Sequence, residues 1–118
     1  MGSTGTGPPF KITPAVFHVL LSLADTEAHG YAIMVEVDRR TRGRVKIGPG
    51  SLYFTLDRLA DAGFIEATEA PADADDERRR YYRLTPQGRS LLVAELEVMA
   101  EIVESARAKR LLADASAA

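Results

Sequence analysis

The run Gly48-Pro49-Gly50-Ser51-Leu52-Tyr53-Phe54-Thr55-Leu56-Asp57-Arg58-Leu59-Ala60-Asp61-Ala62-Gly63 carries its own start and stop signals. Pro49 pre-sets φ for a first helical position and lacks an amide proton that would be orphaned there. Gly63 suits the left-handed residue that closes a helix. Leu52, Leu56 and Leu59 recur at i, i+4 and i+7 and share one face, while Ser51, Phe54, Thr55 and Arg58 recur at i, i+3, i+4 and i+7 on another. The first face is a core stripe. The second joins two hydroxyls, an aromatic ring and a guanidinium, groups able to touch phosphates, thymine methyls and base edges in a DNA major groove. An amphipathic core helix with a merely solvated outer face fits the same pattern, so the decision falls to the flanks.

Upstream, Thr13-Pro14 is an N-cap followed by a first helical position, and the helix is expected to reach about Ala24. Val16, Phe17, Val19, Leu20, Leu21 and Leu23 cover nearly its whole circumference, so it is buried on more than one side, the second side against the C-terminal helix or another subunit. Asp25 to Ala28 reads as a polar turn. His29-Gly30-Tyr31 opens a second helix ending near Thr41, with Ile33, Met34 and Val37 inward and Gly43 near its close. His29 has no His or Cys at ligand spacing, which favours capping or a phosphate contact over metal binding. Arg44 to Ile47 is an extended link that carries Lys46 to the central run. Helix, turn, helix, link, helix is a helix-turn-helix order with the third helix outermost.

Downstream the period changes from helical to alternating. Phe64 to Glu69 reads as a strand, Ala70 to Glu77 as a loop rich in Asp, and Arg78-Arg79-Arg80-Tyr81-Tyr82-Arg83-Leu84 as the returning strand of a β-hairpin wing. Alternation sends Tyr82 and Leu84 inward with Arg80 on their face, and Arg79, Tyr81 and Arg83 the other way. Three successive arginines exceed what a charge-blunted edge strand needs. Thr85-Pro86 repeats the earlier helix start, and the last helix should extend to about Leu112. Leu92, Leu96, Met99, Val103 and Ala106 form a stripe along it, widened by Leu91, Val98 and Ile102, which reads as an interface.

The fold class is therefore mainly α with a small β-hairpin wing. A length of 118 residues, 46% hydrophobic and 27% charged, suits one ordinary globular domain. No apolar run approaches the ~18 residues of a membrane span and no basic segment precedes an apolar one, so a cytoplasmic protein without membrane association is expected. Cysteine is absent and His18 and His29 are the only imidazoles. Neither has a carboxylate or nucleophile at a suggestive spacing, and Asp73-Asp75-Asp76-Glu77 lacks calcium-loop spacing, so no catalytic residue, metal or cofactor is expected.

The net charge of −2 conceals a segregation. Between residues 39 and 58 the basic residues are Arg39, Arg40, Arg42, Arg44, Lys46 and Arg58, against the single acid Asp57; from Arg78 to Arg89 there is no acid. One positive face with a solubilising remainder fits a nucleic-acid partner.

Together, His29-Gly30-Tyr31-Ala32-Ile33, Gly48-Pro49-Gly50-Ser51-Leu52-Tyr53, Leu59 through Gly63-Phe64-Ile65, and Arg78-Arg79-Arg80-Tyr81-Tyr82-Arg83-Leu84-Thr85-Pro86-Gln87-Gly88 resemble the PadR family of bacterial transcriptional regulators. The likeness runs from Ile12 to about Ala108, and the single long C-terminal helix is similar to the family's compact branch. Phe54 stands where many members carry a polar or basic residue or proline, and the chain has no Trp. The resemblance implies a winged helix-turn-helix homodimer, paired through the C-terminal helix with help from the first. It implies a repressor of detoxification or efflux genes, released by a small, often aromatic effector. Carried over, Ser51, Tyr53, Thr55 and Arg58 fall in the recognition helix and Arg78, Arg79 and Arg80 in the wing.

The expected organisation is a leader over residues 1–9, a DNA-binding unit over 10–85, a dimerisation helix over 86–112 and a frayed tail over 113–118. Expected DNA contacts are Lys46, Ser51, Tyr53, Phe54, Thr55, Arg58, Arg78, Arg79 and Arg80, on an inverted-repeat duplex operator. Phe17, Leu21, Met99 and Val103 are candidates for lining a hydrophobic effector pocket. The rival expectation is a winged-helix module that presents the same surfaces to a protein partner.

Overall fold

The structure, a computed structural model, describes residues 10–72 and 79–113. The expected leader, the wing-tip residues 73–78 including Arg78, and residues 114–118 of the expected tail lie outside the described residues. In order, the elements are α1 (Pro14–Ser22), β1 (Ala28–His29), α2 (Gly30–Arg40), α3 (Pro49–Asp61), β2 (Ile65–Thr68), β3 (Tyr81–Leu84) and α4 (Pro86–Ala108).

The helix starts follow local chemistry. Thr13 Oγ1 accepts the Val16 amide at 3.2 Å ahead of Pro14, and Thr85 Oγ1 accepts the Gly88 amide at 3.0 Å ahead of Pro86. His29 caps α2 by accepting the Ala32 amide on Nδ1 at 3.1 Å. α3 closes as its glycine foretells: Gly63 sits at φ +85, and the Phe64 amide returns 3.0 Å to the Leu59 carbonyl. α2 closes in the same way, but with Arg42 at φ 55 in the left-handed position and Gly43, at φ 77, one residue later.

Leu52, Leu56 and Leu59 of α3 are fully buried and meet Val19 and Leu20 of α1, Ile33 and Val37 of α2, Ile65 of β2, Tyr82 of β3 and Leu92 of α4 in one core. α1 packs on both α2 and α4. A polar clasp joins α1 to α2: Arg40 donates to the Ser22 hydroxyl at 3.0 Å, approaches His18 Nδ1 at 3.0 Å and pairs with Glu36. Burial, aided by the Arg40 guanidinium, holds the His18 imidazole below its usual range.

Three expectations need correction. Ala28 was expected in a polar turn, but with His29 it forms β1, pairing antiparallel to β3 at Ala28↔Tyr82 and His29↔Tyr81. The wing is therefore one side of a three-stranded sheet of order β1-β3-β2. The short crossing from α1 to α2 runs beside β3, and pairing satisfies backbone groups that would otherwise face a free strand edge. The returning strand begins at Tyr81, not Arg78, so alternation does not govern Arg79 and Arg80. Finally, α4 ends at Ala108 and not near Leu112. Arg110 takes the left-handed conformation at φ 65, and the Leu111 amide turns back 2.9 Å to the Ala106 carbonyl. Leu111 and Leu112 are exposed beyond that stop.

Candidate nucleic-acid interface

With one face of α3 consumed by the core, the other is left to solvent. Ser51, Phe54 and Arg58 are exposed and Thr55 is half-buried; Phe54 has 66% of its surface free. An apolar ring so exposed at mid-helix buries little surface in the fold and is available to a partner. The start of the helix is equally open. Gly48 supplies no side-chain cap, and a Cβ added at Gly48 or Gly50 would meet nothing within 4 Å. The first amides of α3 and their positive dipole end thus adjoin the Ser51 hydroxyl in a form suited to a phosphate oxygen.

The wing and the start of α2 add the second part. Arg79 Nη1 lies 2.9 Å from His29 Nε2, and its guanidinium stands 5.7 Å from the centre of the Tyr31 ring. His29 in turn meets the Tyr81 ring edge-on at 5.1 Å. Tyr53 of α3 leans on Gly30, where an added Cβ would fall 2.6 Å from its hydroxyl oxygen. His29, Tyr31, Tyr53, Arg79 and Arg80 therefore line one cavity of about 160 Å³ between α3, the start of α2 and the wing. The expected opposition of Arg79 and Arg80 across a strand gives way to convergence. Of these, His29 is read from the sequence as a cap or a phosphate contact, and Tyr31 is the residue that reading missed; 59% exposed beside a buried α2 face, it was readable as a surface aromatic.

Other cations are less free. Lys46 Nζ is 2.7 Å from Asp38 Oδ1, an exposed pair that a phosphate can displace at small cost. Arg83 is held by Glu66 on β2. Arg58 lies over the Phe10 ring at 5.0 Å and near Phe54 at 5.9 Å. The structure places Ser51, Tyr53, Phe54, Thr55 and Arg58 on α3, of which Tyr53 shares a cavity with Arg79 and Arg80 of the wing, and sets Lys46 on the link ahead of α3.

Of the residues considered for an effector, Phe17 is buried in the core, Leu21 and Met99 are half-buried against it, and Val103 is exposed. Along α4 only Gly88 and Leu92 are fully buried, while Val93, Leu96, Val98, Ile102 and Val103 are open in the single chain. Among the described residues no helix is long and apolar enough to cross a membrane, and no cluster of three or more His, Asp or Glu is placed to hold a metal ion.

Comparison with known proteins matches residues 19–94 to the transcriptional regulator PadR-like family. The chain is 34% identical over 93 residues to the transcriptional regulator Rv3488 of Mycobacterium tuberculosis, covering 79% of this chain and 82% of that one. In fold it is similar to a PadR family transcription regulator from Clostridium difficile, with a TM-score of 0.65 at 22% identity, over 79% of this chain and 94% of the other. Bacillus subtilis PadR, solved in complex with operator DNA, superposes with a TM-score of 0.59 at 25% identity over 69% of this chain and 45% of its own. The mainly helical fold with its small antiparallel sheet and the match across most of the chain agree, and the chain belongs to the PadR-like family, whose members are transcriptional regulators and not enzymes.

Proposed function

We propose that this regulator is a cytoplasmic homodimeric repressor that binds an inverted-repeat operator and is released by a small hydrophobic effector. The observation that carries the DNA-binding part is the open row of Ser51, Phe54 and Arg58 with the half-buried Thr55 on a helix whose opposite face is wholly buried, with Tyr53 of the same helix meeting Arg79 and Arg80. The operator complex of Bacillus subtilis PadR supports it. Residues 10–85 act as the DNA-binding unit, and two copies set their α3 helices in successive major grooves about 34 Å apart. Lys46, the wing arginines including Arg78, and the open start of α3 take phosphates. Ser51, Tyr53, Phe54, Thr55 and Arg58 face base edges.

Residues 86–112 pair the subunits, supported by the apolar stripe of α4 that one chain leaves exposed. An aromatic or drug-like ligand that fits one dimer geometry better than the other would shift the DNA-competent population. Phe17, Leu21, Met99 and Val103, where α1 meets α4, are the residues for its pocket. Repression follows from occlusion of polymerase at the operator.

Selection of bound duplexes from a random pool at near-physiological salt tests this reading. Enrichment of an inverted repeat with half-sites about one helical turn apart is expected. Recovery of no motif from protein freed of co-purified ligand would overturn it and favour a winged-helix module that presents the same surfaces to a protein partner.

A further inference from the structure

Phe10 precedes α1 and lies outside the residues matched to the family, 19–94. Its ring nevertheless reaches the end of α3. It stands edge-on to Phe64, centroids 5.2 Å apart at 82°, and the Arg58 guanidinium carbon lies 5.0 Å from its centre and 5.9 Å from that of Phe54. Arg58 is thus held by two rings, one from its own helix and one from the segment before α1, itself braced by the residue after α3.

How an arginine is held decides what it can still do. Arg40, Arg83 and Arg107 are engaged by Glu36, Glu66 and Glu104, which consume N–H donors. Among the described residues Arg58 is held by ring faces and not by a carboxylate. A ring quadrupole attracts the cation without accepting its N–H groups, so the fork that grips guanine O6 and N7 remains open. A guanidinium already confined also gives up less rotamer freedom when it docks.

We propose that Phe10 is a positioning residue for Arg58: it holds the guanidinium over the outer face of α3 with its donors free, and so sets the base-pair preference that Arg58 reads. This rests on the DNA-binding function proposed above. Phe10 itself touches no base.

The test compares the wild type with Phe10→Ala, Phe10→Leu, Phe10→Tyr, Arg58→Ala and the Phe10→Ala/Arg58→Ala double variant. Each is titrated, at one salt concentration, with the duplex recovered by selection and with every single-base-pair variant of it. Phe10→Ala should lose discrimination at the same base pair as Arg58→Ala, by roughly two- to fivefold. Phe10→Tyr, which keeps a ring, should retain it. Phe10→Leu keeps apolar packing on Phe64 but has no ring face, and should behave like Phe10→Ala; it also decides the question if the alanine variant folds poorly. At that base pair the double variant should be no worse than Arg58→Ala alone, because one residue acts through the other.

An unchanged profile in Phe10→Ala, full recovery in Phe10→Leu, equal weakening on every duplex, or sharper discrimination than wild type would each overturn the positioning role. A wild-type protein that prefers no duplex would instead overturn the proposed function. A wild type that selects a motif, with Phe10→Leu matching it, removes the positioning role alone.

Discussion

At Gly88, helix propensity and local crowding pull in opposite directions. Alanine is worth up to about 1 kcal/mol over glycine in a helix interior, and less at a first-turn position such as this one. Here, however, an added Cβ would fall 1.9 Å from the Phe64 carbonyl oxygen and 2.8 Å from Leu84 Cδ1. That carbonyl also accepts the Thr85 amide at 3.1 Å, so it is not free to retreat. Gly88→Ala should therefore destabilise by about 2 to 3 kcal/mol in urea unfolding; a gain in stability would show that the β2 end of the hairpin yields easily. The interface residues divide by what they would touch. Arg58→Ala should relax preference at one base pair by about 1 to 3 kcal/mol, whereas Arg79→Ala should weaken all duplexes alike and lower the salt slope by about one. Uniform weakening by both variants, measured across a panel of operators at several salt concentrations, would refute that division. The α3 contacts were readable because they follow from a 3.6-residue period. The stacking of Phe10 on Arg58 was not, since no local pattern links residues so far apart in the chain.

Among the elements, the α1–α2 clasp has a pH signature. His18 is held below its ordinary value of 6.5 by burial and by Arg40. Its neutral form is thus favoured in the fold, and the unfolded chain takes up the proton first as pH falls. The contribution is complete above the ordinary value and is lost as acidification proceeds from there toward the folded value. His18→Asn keeps an acceptor for Arg40 without a titration and should flatten the fall in stability between neutral pH and pH 5, as followed by chemical denaturation at a series of pH values. An equally steep fall in that variant would place the acid sensitivity elsewhere.

For α4, the proposed pairing predicts that Ile102→Glu leaves a folded, helical monomer, because Ile102 is already 62% exposed in one chain. Sedimentation should report half the wild-type mass, and operator affinity should drop more than tenfold. A variant that stays dimeric would move the interface away from this stripe. The helix starts were legible because Thr-Pro is a local device. The stop of α4 was not, because Arg110 adopts a conformation usually left to glycine, and Leu111 and Leu112 prolong the apolar pattern past it. β1 escaped for another reason: two residues have no period, and its pairing is set wholly by β3.

For the molecule as a whole, a net charge of −2 coexists with a local basic site where Arg79 and Arg80 of the wing meet Tyr53 of α3. The overall architecture was legible because each helix and the hairpin carried its own signal. Their arrangement was less so, since the convergence of His29, Tyr31, Tyr53, Arg79 and Arg80 depends on three separate elements meeting. The three-stranded order β1-β3-β2 has a further consequence in time. Tyr81 and Tyr82 of β3 are paired on both sides, to β1 and to β2, so exchange there requires a neighbouring strand to let go, whereas Arg79 and Arg80 lie outside the strand. Hydrogen exchange should show slow protons at Tyr82 within a few residues of fast ones at Arg79 and Arg80. Arg79 can then exchange its contacts with His29 and Tyr31 for a phosphate without the strand that anchors it having to open, so the speed of that exchange is separated from the stability of the sheet.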